Sequence, residues 1–417
     1  MIISEMQSSL DKTQYGNQKK TSIQHYLVKL IHRIQSSLDN NSRGQVMAAL
    51  LSLLDWREAF SRQCHILGVK RFISNGVRPA LIPCLLNYFQ NRKMQVKWHS
   101  KLSTSRNLPG GGAMGATFGI WEFLSQTNHN IDCVPEEDRF KWVDDVTLIE
   151  ILNLISIGLT SLYVRPEVPN DLPEHGQWIP GDQTKTQKYL NTINQWTEDH
   201  KMALNPKKSK IMIINHTHNY QFGTRLKIGS DNVDCVQQAK ILGTIFEDDL
   251  KWNANTSMLV KKANARMCLL RTAVAFGAST EDKKIIYITF IRSILEQSAV
   301  VWGSSLSVQN INDLERCQKN SLRLIDSHYS DYEKSLSKLN LRKLSDRRKF
   351  LSLKFAKGCV WHPKMKHLFP MNEKPHLNLR DKEKYQVFHA NTERYKVSPV
   401  LFLQRLLNKN HKEAQEK

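Results

Sequence analysis

Cysteine is sparse and unpatterned. Seven residues, at positions 64, 84, 133, 235, 268, 317 and 359, form an odd set with no Cys-x-x-Cys pair. That spacing excludes a disulfide framework and a zinc ribbon, and it points to a reducing compartment, nucleus or cytoplasm. No signal peptide opens the sequence, and long apolar runs are lacking. The greasiest stretch, Leu148 to Val164, is interrupted by Glu150, Asn153 and Ser156, which makes it a core element and not a membrane span. Internal repeats are missing. Acidic residues are short, 39 against 60 Lys and Arg, and the net charge is +21. A surplus of that size calls for a polyanionic partner, nucleic acid before membrane. With 417 residues, 40% of them hydrophobic, the chain can fill two or three domains of roughly 100 to 200 residues each.

What is present centres on residues 139–149. Two β-prone runs, Phe140 to Val143 and Val146 to Ile149, flank Asp144 and Asp145, predicting a tight hairpin with both acids at its tip. Adjacent carboxylates repel, so they sit there at low cost only when a cation or a basic partner neutralises them. Mg²⁺ takes one or two carboxylates and completes its shell with water and phosphate oxygens, which makes the hairpin a candidate metal perch for phosphoryl chemistry. A solvated Asp-Asp turn is the plain alternative. Upstream, Val46 to Leu54 reads as a buried strand that delivers Asp55 at its end, with the aromatic Phe60 five residues on. That pair fits a metal ligand and a wall against a sugar; a capping Asp and a core Phe fit as well.

Around these the chain alternates between helical and extended patterns. Ile23, Tyr26, Leu27, Leu30, Ile31 and Ile34 space out an amphipathic helix behind Thr21 and Ser22, broken at Asn40 to Gly44. Residues 64–98 read as loop and helix with Leu81, Leu85, Leu86, Tyr88 and Phe89 in the core. The glycine cluster Leu108 to Gly115 precedes a helix over Thr117–Gln126, where backbone N–H groups can approach phosphates. It is no Walker A loop, because no Lys-Ser or Lys-Thr follows the glycines. A proline-bearing loop covers 164–182. Tyr189, Leu190, Ile193 and Trp196 mark another helix, and Leu204 to Lys210 turns into a strand over Ile211–Asn215. Lysines at that strand mouth can meet a leaving pyrophosphate, or be merely solvated. Ala239 to Phe246 reads as a second hairpin around Leu242-Gly243. From Lys251 on, helices are expected over Ser257–Arg271, Asp282–Trp302 and Ile311–Ile325, the first presenting Lys261, Lys262, Arg266 and Arg271 to a phosphate backbone. Cys359 and His362 stand three apart without a second such pair, which argues against zinc.

In order, these parts resemble the reverse transcriptases of non-LTR (LINE-type, jockey-like) retrotransposons, from about Gln14 to at least Gln318, with the stretch His389 to Arg394 similar as well. Leu53-Leu54-Asp55-Trp56-Arg57-Glu58-Ala59-Phe60 is similar to the family's first palm motif, with Asp55 in the metal-ligand place and Phe60 in the place that excludes a ribose 2′-hydroxyl. Trp142-Val143-Asp144-Asp145 is similar to the aromatic-x-Asp-Asp box. Leu204 to Lys210 resembles the next motif, with Lys208 as its lysine, and Leu242-Gly243 resembles the primer grip. Met114 and Gly115 fall where the family contacts substrate. The resemblance implies an α+β polymerase, its palm an antiparallel sheet backed by helices. Its divisions would be partial fingers over 1–45, palm over 46–246, helical thumb over 247–330 and a basic C-terminal region over 331–417. It also implies two Mg²⁺ ions held by Asp55 and Asp144 with help from Asp145, and an RNA template, a DNA primer and dNTP as partners, without a membrane.

The chain departs from that pattern in three places. Ala113-Met114-Gly115 stands where the family has Pro-Gln-Gly, so a thioether replaces an amide that could donate a hydrogen bond. Ser61 stands where a second acid is common. Only 54 residues precede Asp55, which predicts incomplete fingers and no upstream endonuclease. The sequence therefore carries two readings: a reverse transcriptase domain, or a catalytically inactive, truncated nucleic-acid-binding remnant of such an element. A basic structural protein unrelated to polymerases would make the ordered motifs coincidental.

Overall fold

The computed structural model describes residues 5–7, 9–39, 47–108, 110–112, 116–154, 176–215, 221–372 and 383–415. The chain divides into two compact units. The first comprises Met1–Ser22, Gln45–Ile213 and Thr217–Val236, and the second Ile23–Gly44, Ile214–His216 and Gln237–Lys417. Helices and sheets mix throughout, and most strand pairs are antiparallel.

Strands are numbered along the chain. The first unit carries β1 (Met47–Leu54), the short β2 (Lys93–Met94), β3 (Lys97–Trp98), β4 (Lys101–Leu102) and β5 (Arg106–Asn107), then β6 (Arg139–Trp142) and β7 (Asp145–Asn153). After them come β8 (Gly176–Ile179), β9 (Lys210–Asn215), β10 (Gln221–Thr224), β11 (Leu226–Ile228) and β12 (Asp231–Cys235). The main sheet has the order β11-β12-β9-β1-β7-β6. Its centre is the antiparallel pair β1 and β7, in register from Met47 opposite Asn153 to Leu54 opposite Val146. That register brings the end of β1, where Asp55 follows, level with the start of β7, where Asp145 lies.

β1 is apolar but for the buried Ser52 because both of its faces are buried. Ala48, Leu50 and Leu54 join Val146, Leu148 and Leu152 of β7 in one core with Phe123 from the helix Thr117–Gln126 and Leu190 and Ile193 from the helix Lys185–Asp199. Glu150, inside the greasy stretch, is buried and accepts the backbone N–H groups of Lys185 and Thr186 at 2.9 and 2.8 Å. Its charge sits at a helix N-terminus, which favours an anion and fastens that helix to the sheet. A smaller core gathers Val69 and Phe72, Leu85 and Phe89, and Trp121 and Leu124 from three helices. Among the described residues no helix is long and apolar enough to cross a membrane.

The second unit is mostly helical after the hairpin β13 (Gln238–Ile241) and β14 (Thr244–Glu247). The helix Asn253–Ala275 buries Asn255, Leu259, Ala263, Met267 and Leu270 along one stripe. A buried polar network ties its neighbours together: the Tyr287 hydroxyl donates to Gln318 Oε1, and Gln318 Nε2 donates to the Tyr332 hydroxyl at 2.8 Å. Arg347 grips Glu296 with two bonds of 2.8 and 2.9 Å, a bidentate geometry that fixes orientation as well as charge. The basic tail is folded here, with helices at Tyr332–Lys338, Leu344–Cys359 and Pro399–Gln415. In the same unit, Asp39 accepts the N–H groups of Asn391 and Thr392, each at 2.8 Å.

The structure corrects three expectations. The helix expected over Asp282–Trp302 is broken into Thr280–Ile286, a π-helical stretch Tyr287–Arg292, a turn at Ser293–Leu295 and Ala299–Trp302, with Ser298 at φ 52°. The run Ile285 to Ile291 is mostly β-branched and aromatic, which weakens the α-helix locally. Leu86 and Tyr88 are not core: the helix Ile82–Phe89 buries Leu85 and Phe89, four residues apart, and leaves the two between them 45% and 38% exposed. The stretch after that helix is not plain loop, since β2 pairs with β5 and β3 with β4 as an exposed hairpin.

Candidate active site

The Asp-Asp hairpin forms as a two-residue connection. Trp142 pairs with Asp145, so Val143 and Asp144 make the turn, and Val143 takes φ 57°. Positive φ at the first turn position matches the twist of antiparallel strands, but in a β-branched residue it costs about 1 to 3 kcal/mol. Asp144 is thus at the tip, and Asp145 is the first residue of β7, one step behind the expected position. Both acids are exposed.

Asp55 reaches the same place by way of β1 and a short crossing pair. Trp56 bridges Leu204, Arg57 N–H donates to Ala203 O at 2.8 Å, and Asn205 N–H donates to Asp55 O at 2.8 Å. The chain then turns at Pro206, with Lys208 and Ser209 N–H both bonded to Asn205 O. This turn delivers Lys208 beside Asp55 and lets Ser209 Oγ accept the Asp55 N–H at 3.1 Å. Asn205 and Ser209 are supports that the sequence did not single out. Their signal was their place either side of the lysines.

The carboxylates feel one another. Partial desolvation raises Asp55, Asp144 raises it further, and the Lys208 ammonium and the Asn205 side chain pull it down. Asp145 is pushed up to about 6, first by the protein crowded round it and then by the charges of Asp144 and Asp55, although one face stays open to water. One oxygen of Asp55, Oδ2, is buried without a hydrogen-bond partner. An unpaired lone pair on a half-buried acid among like charges has the chemistry of a hard-cation ligand. Among the described residues no three His, Cys, Asp or Glu side chains form a ready-made metal cage. Mg²⁺ does not require one, since it takes one or two carboxylates and keeps water and substrate phosphates as its other ligands.

The other expected residues divide between the units. Phe60 packs against Phe123 with ring centroids 5.4 Å apart, and its carbonyl accepts the Gly112 N–H at 2.8 Å. The glycine loop is therefore fastened to the Phe60 segment, and a Cβ on Gly112 would come within 2.5 Å of the Gln63 side chain. Met114 and Gly115 lie outside the described residues. In the second unit Leu242 and Gly243 form the β13–β14 turn at φ 45° and 88°, and Gln297 Nε2 reaches Gly243 O at 3.5 Å. Lys261, Lys262, Arg266 and Arg271 are all exposed on the helix Asn253–Ala275. Cys359 is buried, and burial pushes its thiol up to about 12.

No protein-family model matches the sequence, and neither does any curated protein. Among solved structures, the fold is similar to telomerase from Candida albicans in complex with a fragment of telomeric RNA, at 11% identity and TM-score 0.35. It is similar also to apo telomerase from Candida tropicalis, at 10% identity and TM-score 0.37. Each match covers 88% of this chain but only 57% and 60% of the telomerase chains, so the chain spans less than two thirds of their length. Similarity at this level decides nothing about the chemistry, which has to be read from the side chains.

Proposed function

We propose that the chain is an RNA-directed DNA polymerase domain of the non-LTR retrotransposon kind, adding nucleotides from dNTP to a primer 3′-hydroxyl on an RNA template. The observation that carries this reading is the electrostatic coupling of Asp55, Asp144 and Asp145 at the matched ends of β1 and β7, with the Lys208 ammonium beside Asp55. With Asp144 beside them, Asp55 and Asp145 both have raised proton affinity, a cost without return unless cations occupy the site. Asp55 and Asp144 would hold two Mg²⁺ ions and Asp145 would assist. Bound Mg²⁺ supplies a lowered pKa for the attacking hydroxyl and neutralises charge on the departing pyrophosphate. Lys208 offsets the charge of Asp55 and meets the leaving phosphates. Phe60, braced by Phe123, walls the sugar. Leu242 and Gly243 act as primer grip, and Lys261, Lys262, Arg266 and Arg271 meet the nucleic-acid backbone.

Primer extension on a primed RNA template with Mg²⁺ tests this. The unmodified chain extends the primer and Asp144→Asn does not. A second reading, a silent nucleic-acid-binding remnant, is favoured by Met114 standing where the family has glutamine. It prevails if neither chain extends the primer while both bind the primed template with strong salt dependence.

A further inference from the structure

The hairpin formed by β2–β5 stands outside the carboxylate site. From Lys93 to Asn107 every residue is exposed. Five cations, Arg92, Lys93, Lys97, Lys101 and Arg106, fall between residues 92 and 107, and no Asp or Glu does. Lys93, Lys97, Lys101 and Arg106 form no salt bridge with any described residue. Large apolar side chains are exposed among them: Trp98 at 75%, Val96 and Leu102 at 62% and Met94 at 55%. Exposure of this kind is a cost in a hairpin that covers nothing, and it marks a contact surface.

The register shows how the two kinds of side chain are arranged. Residues paired across an antiparallel ladder share a face, and successive residues alternate faces. Trp98 pairs with Lys101, Lys97 with Leu102 and Met94 with Arg106. Each of these rungs couples one apolar side chain to one cation, and Trp98 and Lys97, being adjacent, carry this mixture onto both faces. A membrane-binding element needs its apolar side chains gathered on one face. A surface that tracks single-stranded nucleic acid needs rings for bases and cations for phosphates side by side.

We propose that this hairpin is a binding surface for single-stranded nucleic acid, with a base stacked on Trp98 and phosphates held by Lys97, Lys101 and Arg106. Recognition is independent of sequence, since every base has a face to stack and every nucleotide a phosphate. The surface does not depend on the polymerase reading, because it uses none of the carboxylates.

The test measures fluorescence anisotropy of labelled oligo-U and oligo-dT with the full chain, at several salt concentrations. Trp98→Ala lowers affinity roughly fivefold to a hundredfold, and Trp98→Phe, which keeps a stacking ring, stays near the unmodified chain. The triple variant Lys97→Ala, Lys101→Ala and Arg106→Ala flattens the slope of log affinity against log salt by about 0.7 per cation removed. All these residues are exposed, and circular dichroism confirms that the variants remain folded. Unchanged affinity in both variants overturns the proposal. So does loss of binding to vesicles of anionic lipid with oligonucleotide binding intact, which would assign the hairpin to a membrane. Asp144→Asn is run in primer extension alone and Trp98→Ala in the binding assay, so failure of extension and failure of the hairpin read out separately.

Discussion

The side-chain oxygen of Gln14 accepts the backbone N–H of Val143 at 3.1 Å, and the same oxygen accepts the N–H of Gly16 at 3.1 Å. Val143 is the turn residue with positive φ that precedes Asp144. Tyr15 N–H donates to Lys141 O and Lys141 N–H to Thr13 O, so residues 13–15 run beside β6 as a parallel edge. A strained turn persists when its surroundings over-determine it. Here the surroundings are the segment Thr13 to Gly16, and the strain sits where one carboxylate is aimed.

Gln14→Ala leaves the Val143 N–H without that acceptor, at a cost of about 1 to 3 kcal/mol. Released from Gln14, the turn wanders and Asp144 with it. Primer extension by this variant is expected to lose about tenfold in kcat with a smaller change in KM for dNTP, because misplaced groups slow chemistry more than binding. Gln14→Glu keeps an acceptor oxygen and recovers part of the rate. Equal losses in kcat and in thermal stability for both variants would reduce Gln14 to ordinary packing.

Gly16→Ala is a harsher change. A Cβ at that position would come within 2.7 Å of Val143 Cγ2 and 2.8 Å of Val143 N. Backbone cannot yield as a side chain can, so the edge segment must peel from β6. A loss of about 2 kcal/mol or more in urea unfolding is expected, in line with overpacking at a tight contact.

How far the sequence disclosed this arrangement depends on which signal each part sends. β1 was legible because seven apolar residues out of eight, broken only by Ser52, have few other readings, and the helix Thr117–Gln126 follows its glycines as expected. The carboxylates were legible because their neighbours are β-prone on both sides. Gln14 was not, since a polar residue reports its own side chain and not a backbone N–H more than a hundred residues away. Lys141 sent no signal, since nothing in Arg139-Phe140-Lys141-Trp142 marks the lysine as buried. The β2–β5 hairpin escaped because strand patterning depends on a buried face, and this hairpin has none.

Lys141 gives a direct check on that reading. Its ammonium is fully buried and donates to Thr127 O at 2.5 Å, Asn128 O at 3.1 Å and Asn130 Oδ1 at 2.8 Å. Burial pulls it down to about 8. Lys141→Met retains the volume and removes all three donors, leaving acceptors unpaired in the interior. Unfolding free energy is expected to fall by about 3 kcal/mol. A neutral or stabilising result would show that desolvation of the ammonium outweighs its three bonds.

Glu122 adds a pH dependence to the first unit. It is wholly buried on the helix Thr117–Gln126, and with its amide nitrogen turned inward Gln63 donates to both carboxylate oxygens at 3.2 and 3.3 Å. Burial pushes the carboxyl up to about 7 from an ordinary 4.5, against the opposing pull of Arg92. The folded chain therefore binds a proton that the unfolded chain releases between those values, and stability falls as pH rises through that window. Glu122→Gln removes the dependence. The variant should be more stable than the unmodified chain at about pH 8, by up to roughly 3 kcal/mol, and lose that advantage near about pH 5. Melting curves at both pH values decide it, and a pH-independent difference would sink the assignment.

Asp145 obeys the same sign and connects stability to the proposed chemistry. Its carboxyl, at about 6 against an ordinary 3.8, is raised by desolvation and by Asp144 and Asp55. Folding takes up a proton across that interval, so the contribution of this group to stability declines as pH climbs through it and is least favourable above about pH 6. Asp145→Asn relieves the repulsion, and its melting temperature should exceed that of the unmodified chain at about pH 7.5 and converge with it at about pH 4. Mg²⁺ supplies the same relief by another route, since a cation held beside Asp145 lowers that carboxyl's proton affinity. Adding Mg²⁺ at the higher pH should therefore narrow the gap between the two proteins, stabilising the unmodified chain more than the variant. A gap that ignores both pH and Mg²⁺ would mean that the three acids do not share one cation site, and with that the two-metal reading would lose its support.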